Sequence, residues 1–111
     1  MSTYRDLKDN EVEQFITEAD DQLVVLCFHA TWCGPCKINE KNFDRAVEQY
    51  SNEGVRFARV NIEECPQITS KYEVQSVPTT LIFHHANLVK RLIGVVELEK
   101  YGSVFQDLRS L

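Results

Sequence analysis

The sequence predicts an α/β domain in which a largely parallel sheet is covered by helices on both faces. Three observations carry this expectation. Leu23 to Phe28 is an unbroken apolar run of strand-forming residues, the pattern of a central strand buried on both sides. Segments with helical periodicity alternate with strand-like segments through the first part of the chain, which is the signature of βαβ units. Two later strand-like segments are separated by so few residues that they must pair antiparallel.

Each element has its own reason. Tyr4 to Leu7 reads as a short first strand. Val12, Phe15, Ile16 and Ala19 follow the i, i+3, i+4, i+7 spacing of an amphipathic helix. Asn10 with Glu13 three residues later predicts a capping box at its start. After the run at Leu23 to Phe28, a helix is expected from about Cys33 to Tyr50. Phe43, Ala46, Val47 and Tyr50 form its inner stripe, and Asn39 and Asn42 fall to an exposed face. Val55, Phe57, Val60 and Ile62 mark the next strand. Pro66 opens a short helix toward Tyr72, since proline suits a first helical turn. Thr79 to Phe83 and Leu88 to Ile93 form a hairpin through a tight connection at His84 to Asn87. Leu98, Tyr101, Phe105 and Leu108 line a closing helix in which Gly102 is a mild cost. The predicted order is β-α-β-α-β-α-β-β-α.

A chain of 111 residues suits one domain, residues 1–111, and is long enough to bury a core without staples. Its net charge of −5 disfavours nucleic acid and anionic membranes as partners, because both reward clustered cations. Met1 to Glu11 lacks an apolar export segment, and the Leu23 to Phe28 run is far too short to span a bilayer. No N-x-[ST] sequon occurs. A cytoplasmic location is therefore expected. In that setting the four cysteines, Cys27, Cys33, Cys36 and Cys65, do not read as a disulfide framework, and the C-x-x-C reads as redox or metal chemistry.

Trp32-Cys33-Gly34-Pro35-Cys36 sits where the buried strand hands over to a helix. Free N–H groups and the positive end of the helix dipole favour a thiolate at Cys33. Thiolate is the attacking form in disulfide exchange. Cys36 falls one turn later, within bonding reach. Pro35 fits a first turn, Gly34 eases entry into it and leaves room for a substrate, and Trp32 offers apolar contact area beside the pair. So small a ring constrains the unfolded chain by only about 2 kcal/mol, against about 3 kcal/mol for a fifteen-residue loop. A bond that forms and breaks is a better use than a structural one. Two competing readings, core cysteines at a coincidental spacing and half of a zinc or iron–sulfur site, are weaker. The first leaves Trp32 and the Gly-Pro insert unexplained. The second lacks a second ligand pair, since Cys27, Cys65, His29, His84 and His85 show no such grouping.

The WCGPC motif after an apolar strand, with Val77-Pro78-Thr79 about forty residues on, resembles the thioredoxin family. The likeness extends over Phe28 to Lys37, Val60-Asn61-Ile62, Val77 to Thr79 and Gly94. It implies a three-layer sandwich, a mixed central sheet of four or five strands flanked by four helices. By this resemblance Cys33 is an exposed nucleophile and Cys36 a buried resolving thiol. Pro78 resembles the cis-proline that faces the active site, and Val77 beside it would pair with an extended peptide; an ordinary turn or edge-strand proline is the competing reading. Trp32, Ile93 and Gly94, with Val95, resemble the apolar rim for substrate. The implied activity is reduction of protein disulfides. The implied source of electrons is NADPH through a flavin-containing thioredoxin reductase, with no cofactor bound to this chain. The alternative is a binding module of the same fold with little general reductase activity.

The sequence departs from the family pattern at two functional places. Cys27 occupies the position of a buried Asp that is usually assigned as proton acceptor for the resolving thiol. A buried thiol should have a raised pKa and is ill suited to that role; a small apolar core residue is its plain reading. Strand alternation puts His29 on the same face, where it, or water near it, could take the proton. An ordinary half-buried histidine is the competing reading. Arg59 replaces a lysine that often pairs with the missing Asp. Cys65 reads as a surface thiol. A monomer is expected, with a weak or Cys65-linked dimer as the alternative.

Overall fold

The structure, a computed structural model, describes residues 4–110. Its elements run β1 (Arg5–Leu7), a 3₁₀ turn (Asp9–Glu11), α1 (Val12–Thr17), β2 (Leu23–His29), α2 (Gly34–Tyr50), β3 (Val55–Asn61), α3 (Pro66–Lys71), β4 (Thr79–His84), β5 (Asn87–Ile93) and α4 (Leu98–Arg109). The order matches the one predicted. The five strands form one mixed sheet in the order β1-β3-β2-β4-β5, with β1 and β2 parallel to β3 and β4 antiparallel to β2 and β5. The fold class expected from the sequence holds.

β2 is central, and its alternation splits the core in two. Val24, Leu26 and Phe28 face Val12, Phe15, Ile16 and Ile68, beneath α1 and α3. Val25 and Cys27 face Phe43, Val47, Tyr101 and Phe105, beneath α2 and α4. Burial on both faces is why this strand has no polar positions to alternate with. His85 and Ala86 both take positive φ, at 51° and 66°, and turn the β4–β5 hairpin. Gly102 carries a packing reason the sequence did not reveal. A Cβ there would lie 2.5 Å from Oη of Tyr50, whose ring packs edge-on against Phe105.

Three expectations are corrected. The reciprocal cap ahead of α1 is made by Lys8 and Glu11, not Asn10 and Glu13, because a 3₁₀ turn begins the helix earlier. Glu11 Oε1 accepts the Lys8 N–H at 2.8 Å, and the Glu11 N–H donates back to the Lys8 carbonyl at 2.9 Å. Asn39 is buried rather than on an exposed face of α2. Cys65 is no surface thiol. It is 0% exposed, and its Sγ donates to the Leu7 carbonyl at 3.3 Å. Cys65 also stands at the N-cap of α3 without capping it. Asp9 does so from across the chain, its two oxygens accepting the N–H groups of Gln67 and Ile68 at 2.9 Å each.

Candidate active site

β2 ends at His29, and the chain crosses Ala30 to Trp32 before α2 begins. Cys33 is the N-cap of α2, in extended conformation, and its Sγ accepts the Cys36 N–H at 3.2 Å. The sulfur thus takes one of the four N–H groups that a helix leaves unpaired at its start. Pro35 sits in that first turn, where it breaks no helical bond. Cys33 and Cys36 are joined as a disulfide, their Cα atoms 5.3 Å apart.

The expectation of an exposed Cys33 is corrected for this oxidised state. Cys33 is 4% exposed and Cys36 8%. Ala30, Ile62 and Val77 pack around the bridge, and the Val77 carbonyl lies 3.6 Å from Cys33 Sγ. What stands in solvent is the neighbouring Trp32, at 68%.

The Val77–Pro78 peptide bond is cis, and Pro78 is buried. The Pro78 carbonyl accepts the N–H of Gly94 at 2.9 Å, tying the loop after β5 to the segment that carries Val77. Gly94 has φ near 92°, a conformation that favours glycine. On either side of it Ile93 and Val95 are exposed. Ile38, exposed in the first turns of α2, escaped the sequence reading. Its signal was an apolar side chain lying off the Phe43, Ala46, Val47 stripe.

In the core packed with Phe43, Ala46 and Val47 of α2, Cys27 is 3% exposed. Burial pushes its thiol up to about 12; the positive charge of Arg59 and a hydrogen bond from Asn39 act the other way and do not offset it. Asn39 Nδ2 donates to Cys27 Sγ at 3.3 Å, and its Oδ1 accepts the Val96 N–H at 2.8 Å. Asn42, half-buried, donates to the Val96 carbonyl at 2.9 Å. Neither contact was foreseen, since asparagine in a helix reads as solvent-facing unless its partners are known.

His29 lies on the same face as Cys27, as alternation required. It shares an open cleft of about 270 Å³ with Cys36, Lys37, Glu40 and Arg59. Arg59 is bonded to Asp6 at 2.9 Å and to Glu40. His29 Nε2 is buried without a hydrogen-bond partner among the described residues, and the nearest carboxylate oxygen, on Asp6, is 3.8 Å away. Burial and then the Arg59 charge hold the imidazole below its ordinary range, so it is neutral at pH 7. Among the described residues, no three His, Cys, Asp or Glu side chains group to hold a metal ion, and no helix is long and apolar enough to cross a membrane.

The thioredoxin family model matches residues 4–106. The chain is 38% identical to thioredoxin of Homo sapiens over 96 residues, covering 86% of this chain and 89% of that protein. It is 34% identical to Thioredoxin-T of Drosophila melanogaster over 104 residues, covering 88% of this chain and 66% of the longer relative. Its fold superposes on the crystal structure of Malassezia sympodialis thioredoxin with a TM-score of 0.83 at 24% identity, over 96% of this chain and 91% of that one. With a sulfur-capped helix, a Cys33–Cys36 bridge and a cis-proline in one constellation, and with these relatives beside it, the chain belongs to the thioredoxin family of thiol–disulfide oxidoreductases.

Proposed function

We propose that the chain reduces disulfide bonds of protein substrates by dithiol–disulfide exchange. Cys33 thiolate attacks one sulfur of a substrate disulfide, forming a mixed disulfide and releasing the other substrate sulfur as thiolate. Cys36, deprotonated, then attacks Cys33 Sγ. That step closes the Cys33–Cys36 bond and frees the second substrate thiolate, which takes up a proton. The carrying observation is Cys33 Sγ at the N-terminus of α2, accepting the Cys36 N–H at 3.2 Å in the disulfide that the second step would produce.

Trp32, Val77, Ile93 and Gly94 are the substrate contacts in this reading. Exposed apolar area on Trp32 and Ile93, and the Val77 carbonyl close to the sulfur, support it. Gly34, Pro35 and Pro78 shape the site. Oxidised protein would be recharged by a flavin-containing thioredoxin reductase drawing on NADPH, with no cofactor held by the chain itself. This cycle belongs to the cytoplasm, where thiols are kept reduced.

Cys36 must lose a proton, and a Cys27 thiol with so high a pKa is a poor acceptor. His29 is the candidate acceptor, directly or through water in the cleft it shares with Cys36, because it is neutral and its buried Nε2 has no hydrogen-bond partner among the described residues. Single-turnover resolution of the mixed disulfide by His29→Ala, followed across pH, tests this. An unchanged profile rejects it.

The whole reading is tested with NADPH, thioredoxin reductase and insulin. NADPH should be consumed by the wild type and not by Cys33→Ser or Cys36→Ser. No turnover with several reductases, and none with dithiothreitol as donor, would favour a binding module of thioredoxin fold instead.

A further inference from the structure

The loop that follows β5 has no regular structure from Gly94 to Glu97, yet Val96 is buried. Both of its backbone polar groups are taken by side chains of α2. Asn39 Oδ1 accepts the Val96 N–H at 2.8 Å, and Asn42 Nδ2 donates to the Val96 carbonyl at 2.9 Å. Positions three apart lie on one face of a helix, so the two amides reach the same residue and hold the peptide units on either side of its Cα. Asn39 is itself fixed from behind, because its Nδ2 donates to Cys27 Sγ at 3.3 Å.

A fully buried amide is costly unless it is bonded at both ends. Position 39 lies against the apolar core under α2, where a Leu would pack with no polar demand. The amide there satisfies a backbone N–H that a hydrocarbon would leave orphaned. Two residues before Val96, the Gly94 N–H is held by the Pro78 carbonyl at 2.9 Å. The backbone is therefore pinned on both sides of Val95, and the exposed side chains of Ile93 and Val95 project from a fixed support.

We infer that Asn39 and Asn42 are positioning residues, which clamp Val96 so that the Ile93–Val95 rim is preset to receive a polypeptide beside the Cys33–Cys36 pair. This rests on the reductase reading above. It also assigns Cys27 a second use, as the acceptor that orients Asn39. Presetting a rim lowers the ordering cost of binding an extended chain. A small disulfide that never touches the rim gains nothing from it.

Asn39→Leu and Asn42→Ala test the clamp against insulin, with dithiothreitol as donor, and against a small aromatic disulfide mixed with the pre-reduced protein after the donor is removed, the second-order rate constant there standing for kcat/KM. The expected result is a rise of about tenfold in KM for insulin, out of proportion to any change in kcat. The ratio of insulin to small-disulfide kcat/KM should fall by the same factor. Amide hydrogen exchange at Val96 should quicken in both variants. Should Asn39→Leu fail to fold, the half-buried Asn42→Ala carries the test. Equal losses on both substrates, or a folded variant with an unmoved KM for insulin, overturn the clamp while leaving the reductase reading intact. A wild type inactive on every disulfide overturns that reading and the clamp with it.

Discussion

Cys27 and Arg59 stand directly opposite each other in the parallel register of β2 with β3, yet the guanidinium turns away to Asp6 and Glu40. The thiol stays neutral in an apolar surrounding, so it gives Arg59 no anion to hold. Its pKa of about 12 exceeds the ordinary 9.0. As pH rises past about 9 the unfolded chain loses this proton and the native one does not, so stability falls, by up to about 1.4 kcal/mol per pH unit. Tyr72, raised to about 12, adds to the loss from about pH 10 upward. Urea unfolding of the wild type and Cys27→Ala between about pH 8 and 10 should show a shallower decline in the variant.

His29 predicts the opposite edge of the stability profile. Its native pKa lies below the ordinary 6.5. The unfolded chain therefore takes up a proton first as pH falls. The stability contribution is complete above about pH 6.5 and declines below it. His29→Gln should flatten that acid limb of the urea-unfolding profile, and an identical slope in both proteins would contradict the neutral imidazole.

Asp9 caps α3 with both carboxylate oxygens, although it lies far away in sequence. Asp9→Ala should cost about 1–2 kcal/mol, the range of a lost helix cap. Asp9→Asn keeps one acceptor and should recover part of it. Denaturant midpoints measured at constant m-value give the comparison.

Gly102 and Tyr50 should couple strongly. Alanine is worth about 1 kcal/mol over glycine inside a helix. Here its Cβ would meet Tyr50 Oη at 2.5 Å, whereas Cζ is 3.6 Å away. Gly102→Ala should destabilise the wild type by about 1–2 kcal/mol as overpacking, and stabilise Tyr50→Phe by about 0.5–1 kcal/mol. A double-mutant cycle reads the change of sign.

The elements were legible because each is written in local pattern. Leu23 to Phe28 announces a central strand, and Phe43, Ala46 and Val47 announce a buried helical stripe. The cysteine pair was legible from its spacing and its place at a strand-to-helix junction. What stayed hidden depends on partners distant in sequence. Asn39 looked solvent-facing because Val96 and Cys27, which satisfy its amide, are brought to it only by the fold. Cys65 looked like a loop thiol because Leu7, its hydrogen-bond acceptor, comes from the other end of the chain. The oxidised pair also covers more of Cys33 than its motif implied, since Val77 and Ile62 close over it.

The four sulfurs fall into two populations. Cys27 and Cys65 are sealed in the core, and Cys33 and Cys36 share a bond at its border. A water-soluble thiol dye should therefore count no sulfhydryl on the oxidised native molecule and two on the reduced one. Heat or urea exposes the sealed pair, so the same dye then counts two and four. The two colorimetric readings together, before and after unfolding, separate molecules that have lost electrons from molecules that have lost their shape.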